Sequence, residues 1–420
     1  MSIPGVTTKI RDRFYSVART DAPSGPRVVA IARRSTADGT GDIADLDVVR
    51  ASNEADVITA FGEGSDAHKA FIELVIGGAE RIFLVPLPSN TTFNHETAAL
   101  TSGGSSIFQH AFDAAEAALP DIIVPWGRGG NSLDWQNPAT PNDDDEYGFH
   151  ADNSATITTN WAYKVADAVR KISENSNPCL AVMGVKPYIS VAEKMTPGQI
   201  STHLALSTLP DRDGNVTFDG ANSVYQKDLG PYVSIVAAEI KPVNYSSGTT
   251  DYGYSNGASF MAGTLSKVSS YSSLVNKPLY NVQALRYAPT RTQQASLADM
   301  GINSVVLNFN KVAVFGESLT FAQSTSDYIR LSTKRIINEA VMLVRQVCQK
   351  FIGEPSNIQT RNSMETAITS ALRGMQLLGA ILGSDFSVSY IPAQNKAIVD
   401  LVLTPAFELR NIEVQVAINL

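Results

Sequence analysis

The sequence predicts an α/β fold built on an open, largely parallel sheet, followed by a C-terminal third of mixed α+β character. The first observation is the alternation of short apolar runs with helical patterns between residues 27 and 239. The second is that these runs are almost continuously apolar, as expected for strands covered on both faces. The third is the 44% hydrophobic content of the 420 residues, which is enough to build more than one core.

Five runs in the alternating region are predicted strands, and helices are predicted in the intervals between the first four. The strands are Arg27–Arg34, Arg81–Leu87, Asp121–Trp126, Cys179–Val185 and Tyr232–Glu239. The helices are Asp66–Gly77, with Ala67, Phe71, Leu74 and Val75 on one face, Ile107–Ala118, and Asn160–Ser173, with Trp161, Val165, Val169 and Ile172 on one stripe. One apolar stripe per helix predicts that the helices pack against the sheet.

Three segments interrupt this alternation. Asn131–Asn153 is rich in Asn, Asp and Pro, which predicts a long exposed loop. Thr208–Tyr225 contains the turn dipeptide Asp213-Gly214 between extended runs, which predicts a hairpin. Lys241–Lys277 is dense in Ser, Gly, Tyr and Asn with little periodicity, so we expect a loop-rich connection there rather than part of a core.

The last third carries two long helical patterns followed by strands. Tyr328–Gly353 is a predicted helix with Ile337, Val341, Val344, Cys348 and Phe351 on its apolar stripe. A second helix follows Asn357, with Met364, Ile368, Leu372, Met375 and Leu382 on one side and Gly383 as its C-terminal cap. The predicted strands after it are Phe386–Ile391, Ala397–Leu403 and Ile412–Leu420.

Composition excludes several classes of protein. The net charge of −8 argues against a broad nucleic-acid-binding face. The only cysteines, Cys179 and Cys348, exclude a disulfide framework or a thiolate metal cluster, and both are expected to be buried, reduced thiols in a protein made in a cytoplasm. We expect no signal peptide and no membrane-spanning helix, because the N-terminus has no apolar core and no long apolar run occurs.

Motifs that would carry catalysis or cofactor binding are incomplete. Gly127–Gly130 follows a strand but lacks the Lys-Ser/Thr and the glycine spacing of phosphate loops, and Gly316–Thr320 lacks the closing glycine of a nucleophile elbow. Asp143–Glu146 and Asp211–Asn215 fail the calcium-loop template, and the five histidines show no metal-ligand spacing. The sequence therefore predicts no catalytic residues, no cofactor and no metal site.

The two ends of the chain are more informative. Residues 412–420 alternate strictly, with Ile412, Val414, Val416 and Ile418 on one face, which predicts a half-buried strand. Val6, Thr8 and Ile10 alternate in the same way behind Pro4-Gly5. Terminal strands of this kind pair either within their own subunit or with the sheet edge of a neighbour, and the pattern alone leaves both options open.

Several motifs, taken in order, resemble the tail sheath proteins of contractile phage tails and related contractile injection particles. They are Ile3–Val6, Leu297–Asn303, Val312–Thr320, the helix Tyr328–Gly353 ending in Glu354–Asn357, Met375–Gly383, Phe386–Tyr390 and Leu403–Glu408. Most of the similarity lies in the last 130 residues or so, and the middle of the chain matches in architecture only. Phe315 stands where this family often has a tryptophan.

The resemblance implies an inner α+β domain with an α/β domain inserted outward. On this interpretation residues 1–20 are an N-terminal arm that joins the inner domain, and residues 21–285 form the outer α/β domain with loop-rich insertions near 131–153 and 208–277. Residues 286–420 form the inner C-terminal domain, ending in an exchange strand at 411–420. The resemblance further implies that Val6, Thr8, Ile10, Ile412, Val414, Val416 and Ile418 pair with neighbouring subunits.

The resemblance implies a structural, non-enzymatic subunit of a virion tail sheath, assembled in the host cytoplasm. Its partners are further copies of itself in stacked six-fold rings, a tail tube protein, and baseplate and terminator proteins, without nucleic acid or membrane insertion. Lys334, Arg335, Arg345 and Lys350 form a candidate basic stripe toward an acidic tube, with ordinary solvated helix charge as the alternative. Two other functions stay open: an α/β nucleotide-binding enzyme with its ligand near Trp126–Gly130, and another self-assembling shell protein.

Overall fold

The computed structural model describes residues 25–35, 46–94, 99–125, 161–185, 229–243, 246–247, 250–255, 257–322, 326–391, 396–406 and 408. Two compact units divide the chain. The sheet unit comprises Met1–Ser269 and Leu274–Lys334, and the hairpin unit comprises Ser270–Ser273 and Arg335–Leu420. The predicted arm at 1–20 and the predicted exchange strand at 411–420 lie outside the described residues, as do the predicted loop at 131–153 and the predicted hairpin at Thr208–Tyr225.

The described strands and helices follow one another along the chain. The strands are β1 (Arg27–Arg33), β2 (Val49–Ala51), β3 (Arg81–Leu87), β4 (Thr92–Asn94), β5 (Ala99–Ser102), β6 (Ser105–Ser106), β7 (Ile122–Pro125), β8 (Leu180–Val185), β9 (Val233–Ala237), β10 (Ile240–Pro242), β11 (Ser246–Ser247), β12 (Thr250–Asp251), β13 (Val282–Leu285), β14 (Ile302–Leu307), β15 (Ala313–Phe315), β16 (Ile381–Ile391) and β17 (Lys396–Pro405). The helices are α1 (Glu54–Phe61), α2 (Asp66–Gly77), α3 (Phe108–Ala117), α4 (Trp161–Asn175), α5 (Ala258–Lys267), α6 (Arg291–Asp299), α7 (Leu331–Gln349) and α8 (Ile358–Leu377).

An eight-stranded sheet is the centre of the sheet unit. Its strand order is β15-β14-β9-β8-β7-β1-β3-β2, and all neighbours from β14 to β3 are parallel. The two edge strands, β15 and β2, pair antiparallel to the rest. The predicted open, largely parallel α/β sheet is confirmed, and its five predicted strands are β1, β3, β7, β8 and β9 to within one or two residues at each end.

Helices cover both faces of this sheet, because alternate strand residues point to opposite sides. Val29 and Ile31 face a core that includes side chains of α3, α4 and α6. Val28, Ala30 and Ala32 face a second core that includes side chains of α1, α2 and α5. The predicted stripes of α2 and α4 are buried at Ala67, Phe71, Leu74, Val165, Val169 and Ile172, whereas Val75 of α2 is 47% exposed.

Helix α5 corrects the expectation that Lys241–Lys277 forms no part of a core. Every residue from Ala258 to Ser266 is buried, so the helix has no polar face to create an amphipathic period. Its small residues allow a close crossing with α2, where a Cβ on Gly263 would lie 2.6 Å from the Leu74 carbonyl oxygen. The composition that indicated a loop is therefore the composition of a tightly packed helix crossing.

A buried amide fastens the segment after β15 to the centre of the sheet. The Asn303 side-chain amide donates to the carbonyl oxygens of Ile235 and Leu319, both at 2.9 Å, and to Ser234 Oγ at 3.0 Å. Its Oδ1 accepts the Leu319 backbone N–H at 2.7 Å. This network satisfies a fully buried polar side chain and holds the chain in place ahead of α7.

The hairpin unit is built from α7, α8 and the antiparallel pair β16–β17. The predicted stripe of α8 is buried at Met364, Ile368, Leu372 and Met375. Leu382 is instead 66% exposed within β16, so its assignment to the helix was wrong. The helix ends at Leu377, and Gly379, with φ of +73°, makes the turn that had been assigned to Gly383.

The compact units divide after Lys334, whereas the predicted domain boundary lies between 285 and 286. β14 pairs in parallel with β9, and β15 pairs with β14, so residues 302–315 belong to the large sheet. Sequence similarity placed them with the C-terminal third because it cannot show strand pairing across some 65 residues of chain.

Candidate assembly surface

The hairpin β16–β17 alternates between a half-buried and an exposed face. The half-buried face consists of Phe386, Val388, Tyr390, Val399, Leu401 and Leu403, which pack against α7 and α8. On the other face, exposed Asp385 lies opposite exposed Val402, and exposed Ser387 lies opposite exposed Asp400. One covered and one open face is the usual state of an antiparallel ribbon supported by helices.

No described strand pairs with either outer edge of this hairpin. The strands are 11 and 10 residues long, and within the described part of the chain they pair only with each other. A two-stranded ribbon is only marginally stable by itself, and each outer edge carries backbone N–H and C=O groups that an added strand satisfies. The geometry thus provides two acceptor edges, each long enough for a terminal segment of the size predicted at either chain end.

Val6, Thr8 and Ile10 lie outside the described residues, as do Ile412, Val414, Val416 and Ile418. Their pairing stays a prediction from sequence, and what the structure adds is the pair of acceptor edges.

Side chains of α8 fasten the far end of β16. The Arg361 guanidinium lies over the Tyr390 ring, 4.2 Å from its centroid. The Tyr390 hydroxyl donates to Glu365 Oε1 at 3.4 Å. Burial, followed by the negative charge of Glu365, raises the pKa of Tyr390, so the hydroxyl keeps its proton and remains a donor.

The four residues of the predicted basic stripe differ in exposure. Lys334 and Arg335 are buried, with exposed fractions of 6% and 8%, and the Lys334 ammonium lies 4.1 Å from the Tyr232 ring centroid. Arg345 is half-buried and Lys350 is exposed. The stripe is therefore reduced to Arg345 and Lys350, because the first turn of α7 is enclosed by protein and not by solvent.

Three exposed leucines lie close together in the sequence, around the turn between α8 and β16. Leu377 is 82% exposed, Leu378 is 65% exposed, and Leu382 follows shortly after the Gly379 turn. Sequence reasoning missed this apolar surface because it assigned Leu382 to the buried side of the helix. The signal was present in the pair Leu377-Leu378, since one of two adjacent leucines at a helix end must leave the apolar stripe.

The positions weighed for an enzyme do not form a site in the described residues. Trp126–Gly130 lies outside them, as do Asp143–Glu146 and Asp211–Asn215. Ser318 is buried, and its carbonyl oxygen accepts the Leu331 N–H at the start of α7. No group of three metal-ligating side chains occurs in the described ranges, nor does any helix there have the length and apolarity needed to span a membrane.

The two cysteines differ in their surroundings. Cys179 is fully buried, as expected, and burial raises the pKa of its thiol. Cys348 is half-buried on α7 and packs beside the core of the hairpin unit, and burial raises its pKa as well. Both thiols are free and, with raised pKa values, protonated at neutral pH, which makes them poor nucleophiles.

The chain matches no protein-family model, and no curated protein matches it. Its fold, however, is that of contractile sheath proteins. A chain from the helical sheath of the anti-feeding prophage, in the contracted state, matches with a TM-score of 0.62 and 14% identity, covering 99% of both chains. The likeness in fold confirms, at the level of architecture, the resemblance found in the sequence motifs.

Two further solved structures agree with this result. A chain of the PVC sheath complex, from an extracellular contractile injection system in the contracted state, matches with a TM-score of 0.60 and 12% identity over 99% of this chain and 98% of that chain. The sheath tail protein of Listeria innocua matches with a TM-score of 0.58 and 12% identity over 93% of this chain and 94% of that chain. At these identities the likeness concerns the fold.

Proposed function

We propose that this chain is a structural subunit of a contractile sheath, which polymerises as stacked six-fold rings around a tail tube and contracts to drive the tube through a cell envelope. The observation that carries the proposal is the match of the whole fold, over 93–99% of this chain, to sheath proteins of three kinds of contractile particle or tail. The ordered sequence motifs at 297–303, 312–320 and 375–390 support it independently.

The hairpin unit fits the role of the inner domain. We propose that residues 1–20 and 411–420 of neighbouring subunits add to the two outer edges of β16–β17 and so connect the subunits into a mesh. Two observations support this arrangement: no described strand pairs with the outer edges of the ribbon, and Ile412, Val414, Val416 and Ile418 alternate strictly in the sequence. Strand addition supplies main-chain hydrogen bonds that persist while other contacts change, as contraction requires.

The proposed partners are further copies of the chain, a tail tube protein, and baseplate and terminator proteins at the two ends of the particle. On α7, Arg345 and Lys350 are the remaining candidates for contact with an acidic tube. The particle belongs to a virion tail in one version of the proposal and to an injection device in the other, and in either case assembly takes place in the cytoplasm of the producing cell. No catalysis or cofactor enters the proposal, because contraction releases free energy stored during assembly.

Negative-stain electron microscopy of the purified full-length chain tests the proposal, with variants lacking residues 1–10 or 411–420 beside it. We expect hollow striated tubes from the full-length chain and their loss in both truncated variants. Tubes that persist in both truncations would refute the strand exchange and leave the sheath assignment standing. If the full-length chain forms only globular particles, even beside a co-expressed tube protein, the sheath function itself is refuted.

The tube contact is tested by reversing charge at Arg345 and Lys350, with Arg373→Glu on the exposed side of α8 as the matched control. We expect the Arg345→Glu/Lys350→Glu variant to lose tube attachment and the control to keep it. Attachment that is equal in both variants, with the same dependence on salt, would remove the basic stripe from the proposal.

A nucleotide-binding enzyme with the same sheet is the second candidate, since open parallel sheets bind ligands at the carboxyl ends of their strands. Thermal unfolding with and without nucleotides and dinucleotides separates the two functions. A ligand-dependent rise in Tm would favour the enzyme. We expect no shift.

A further inference from the structure

The tip of the β14–β15 hairpin presents an aromatic side chain to solvent in a well-defined turn. Phe309 is 103% exposed and Leu307 is 52% exposed. Asn308 organises the turn: its Oδ1 accepts the N–H groups of Asn310 and Val312, both at 2.9 Å. Its backbone N–H and C=O also bond to Val312 and Lys311 at 2.9 Å. The turn therefore holds a large apolar group in water, which carries a cost that an intermolecular contact removes.

Two further chain segments continue this surface. The Leu279 N–H donates to the Ala313 carbonyl oxygen at 2.8 Å, next to the pair formed by Leu307 and Ala313. The Val243 N–H donates to the Asn281 carbonyl oxygen, also at 2.8 Å. The exposed large apolar side chains on these joined segments are those of Val243, Tyr280, Leu307 and Phe309, which we call the edge patch.

A partner cannot bind at the edge patch by adding a strand to β15. The outer side of β15 is already covered, because Asn276 donates its N–H to the Phe315 carbonyl oxygen at 3.0 Å, and bridges join Val275 to Phe315 and Pro278 to Val314. A partner at this edge must therefore be held by side-chain contacts, and Phe309 is the most exposed side chain of the patch.

Three exposed lysines lie beside the edge patch or on the segments that carry it. Lys267 places its ammonium 5.8 Å from the Tyr280 ring centroid. Lys277 and Lys311 are exposed on the segments that carry Tyr280 and Phe309. The whole chain nevertheless carries a net charge of −8, so the charge outside these three lysines is more negative still. A locally cationic apolar patch on an acidic chain is complementary in charge to the rest of another copy of the same chain.

We propose that the edge patch is an interface to a second copy of this chain within the sheath, with Phe309 as its anchor. The inference rests on the proposed function and names a contact made by the sheet unit, separate from strand exchange at the hairpin unit. The contact is heterologous: the edge patch of one copy meets a different, acidic surface of the next, as in any array that grows by a repeated head-to-tail step. Such a contact adds to assembly without participating in the fold of the subunit.

The first experiment compares Phe309→Ser with Val75→Ser, a matched removal of an exposed apolar side chain on α2. We expect both variants to keep the Tm of the full-length chain. The critical concentration for tube formation should rise about tenfold or more in Phe309→Ser and stay unchanged in Val75→Ser. Lys277→Glu/Lys311→Glu should also raise it, and added salt should weaken the difference from the unmodified chain. Equal critical concentrations for all variants would overturn the proposal.

The second experiment identifies the occupant. A photoreactive phenylalanine analogue at position 309 of the full-length chain should form a covalent dimer of this chain in tubes and none in dilute subunits. Mass spectrometry should map the linked peptide outside the edge patch. Cross-links only to another protein, to added anionic lipid vesicles or to solvent would overturn the inference while tubes still form. Absence of tubes from the unmodified chain would instead remove the proposed function on which the inference rests.

Discussion

The two units of this chain differ in how completely the faces of their β-strands are covered. In the sheet unit, β9 is buried at every residue, and helices cover both faces of the eight-stranded sheet. In the hairpin unit, no residue of β17 is buried, and one face of the ribbon is open to solvent. The sheet unit thus contains the apolar contacts that stabilise it, whereas the described residues of the hairpin unit leave one face of the ribbon and its two outer strand edges uncovered.

This difference indicates that the sheet unit contributes mainly to the stability of the subunit and the ribbon edges mainly to its assembly. The central strands of the large sheet have both faces covered and are paired on both edges, so a change of partner there would require unfolding. A ribbon supported by two helices can gain strands while its inner face stays packed. We therefore expect mutations in the sheet unit to act on folding and mutations at the ribbon edges to act on assembly.

The largest effect is expected from Gly230→Ala in the sheet unit. A Cβ at this position would lie 2.0 Å from the Phe321 carbonyl oxygen and 2.6 Å from its carbon, so backbone at the end of the sheet would have to move. We expect a loss of more than about 3 kcal/mol in the free energy of unfolding, or no soluble protein. Urea denaturation followed by circular dichroism measures it.

Gly374→Ala on α8 is the matched control from the hairpin unit, because no atom of the described residues lies within 4 Å of its Cβ position. The exchange should be neutral or stabilise by up to about 1 kcal/mol, since alanine favours helix. Similar losses in both variants would contradict the contrast between the units.

The second-largest loss in the free energy of unfolding is expected from Ile368→Ala. This change removes a fully buried side chain from the core between α8 and the hairpin. Truncations of this kind cost about 2–5 kcal/mol. Hydrogen exchange should show lost protection in α8, β16 and β17, with protection of β1, β8 and β9 retained. An equal loss of hydrogen-exchange protection in both units would show that they unfold together, which would contradict the difference between them.

A smaller effect is expected from Gly263→Ala at the crossing of α5 and α2. Its Cβ would lie 2.6 Å from the Leu74 carbonyl oxygen and 2.8 Å from Gly77 Cα, so the two helices must separate. Overpacking costs about 1–3 kcal/mol, offset in part by the helix preference of alanine. Thermal unfolding should show a lower Tm for Gly263→Ala. Gly353→Ala is not a suitable control for this variant, because the φ of +91° at Gly353 disfavours alanine even without a packing clash.

The smallest effect concerns alkaline pH. Burial raises the pKa of Tyr287 to about 12, and its exposed fraction is only 1%. The unfolded chain loses the phenolic proton near pH 10 and the folded chain retains it, so stability from this group is present below pH 10 and falls between pH 10 and 12. We expect Tyr287→Phe to match the unmodified chain at pH 7 and to lose less stability between pH 10 and 12. Identical slopes over that range would contradict this assignment.

Part of the site was predictable from local pattern alone. The inward residues Phe386 to Tyr390 and Val399 to Leu403 follow a period of two, which is visible without any structure. The burial of Lys334 and Arg335 was not predictable, because a helical wheel shows which residues share a face but not what covers that face. The exposure of Phe309 was invisible for the same reason, since a single aromatic in a turn has no period.

The sequence by itself determined the class of the fold, five of the six parallel strands, most of the apolar stripes of α2, α4 and α8, and the resemblance to sheath proteins. These features depend on residues close together in the chain, because the spacing of apolar residues decides which face of a helix or strand is buried. Only the tertiary structure decided that α5 is core, that β14 and β15 complete the large sheet, and that β16 and β17 pair only with each other among the described strands. Each of these depends on contacts between residues far apart in the chain, and no local pattern records which distant surface a segment meets.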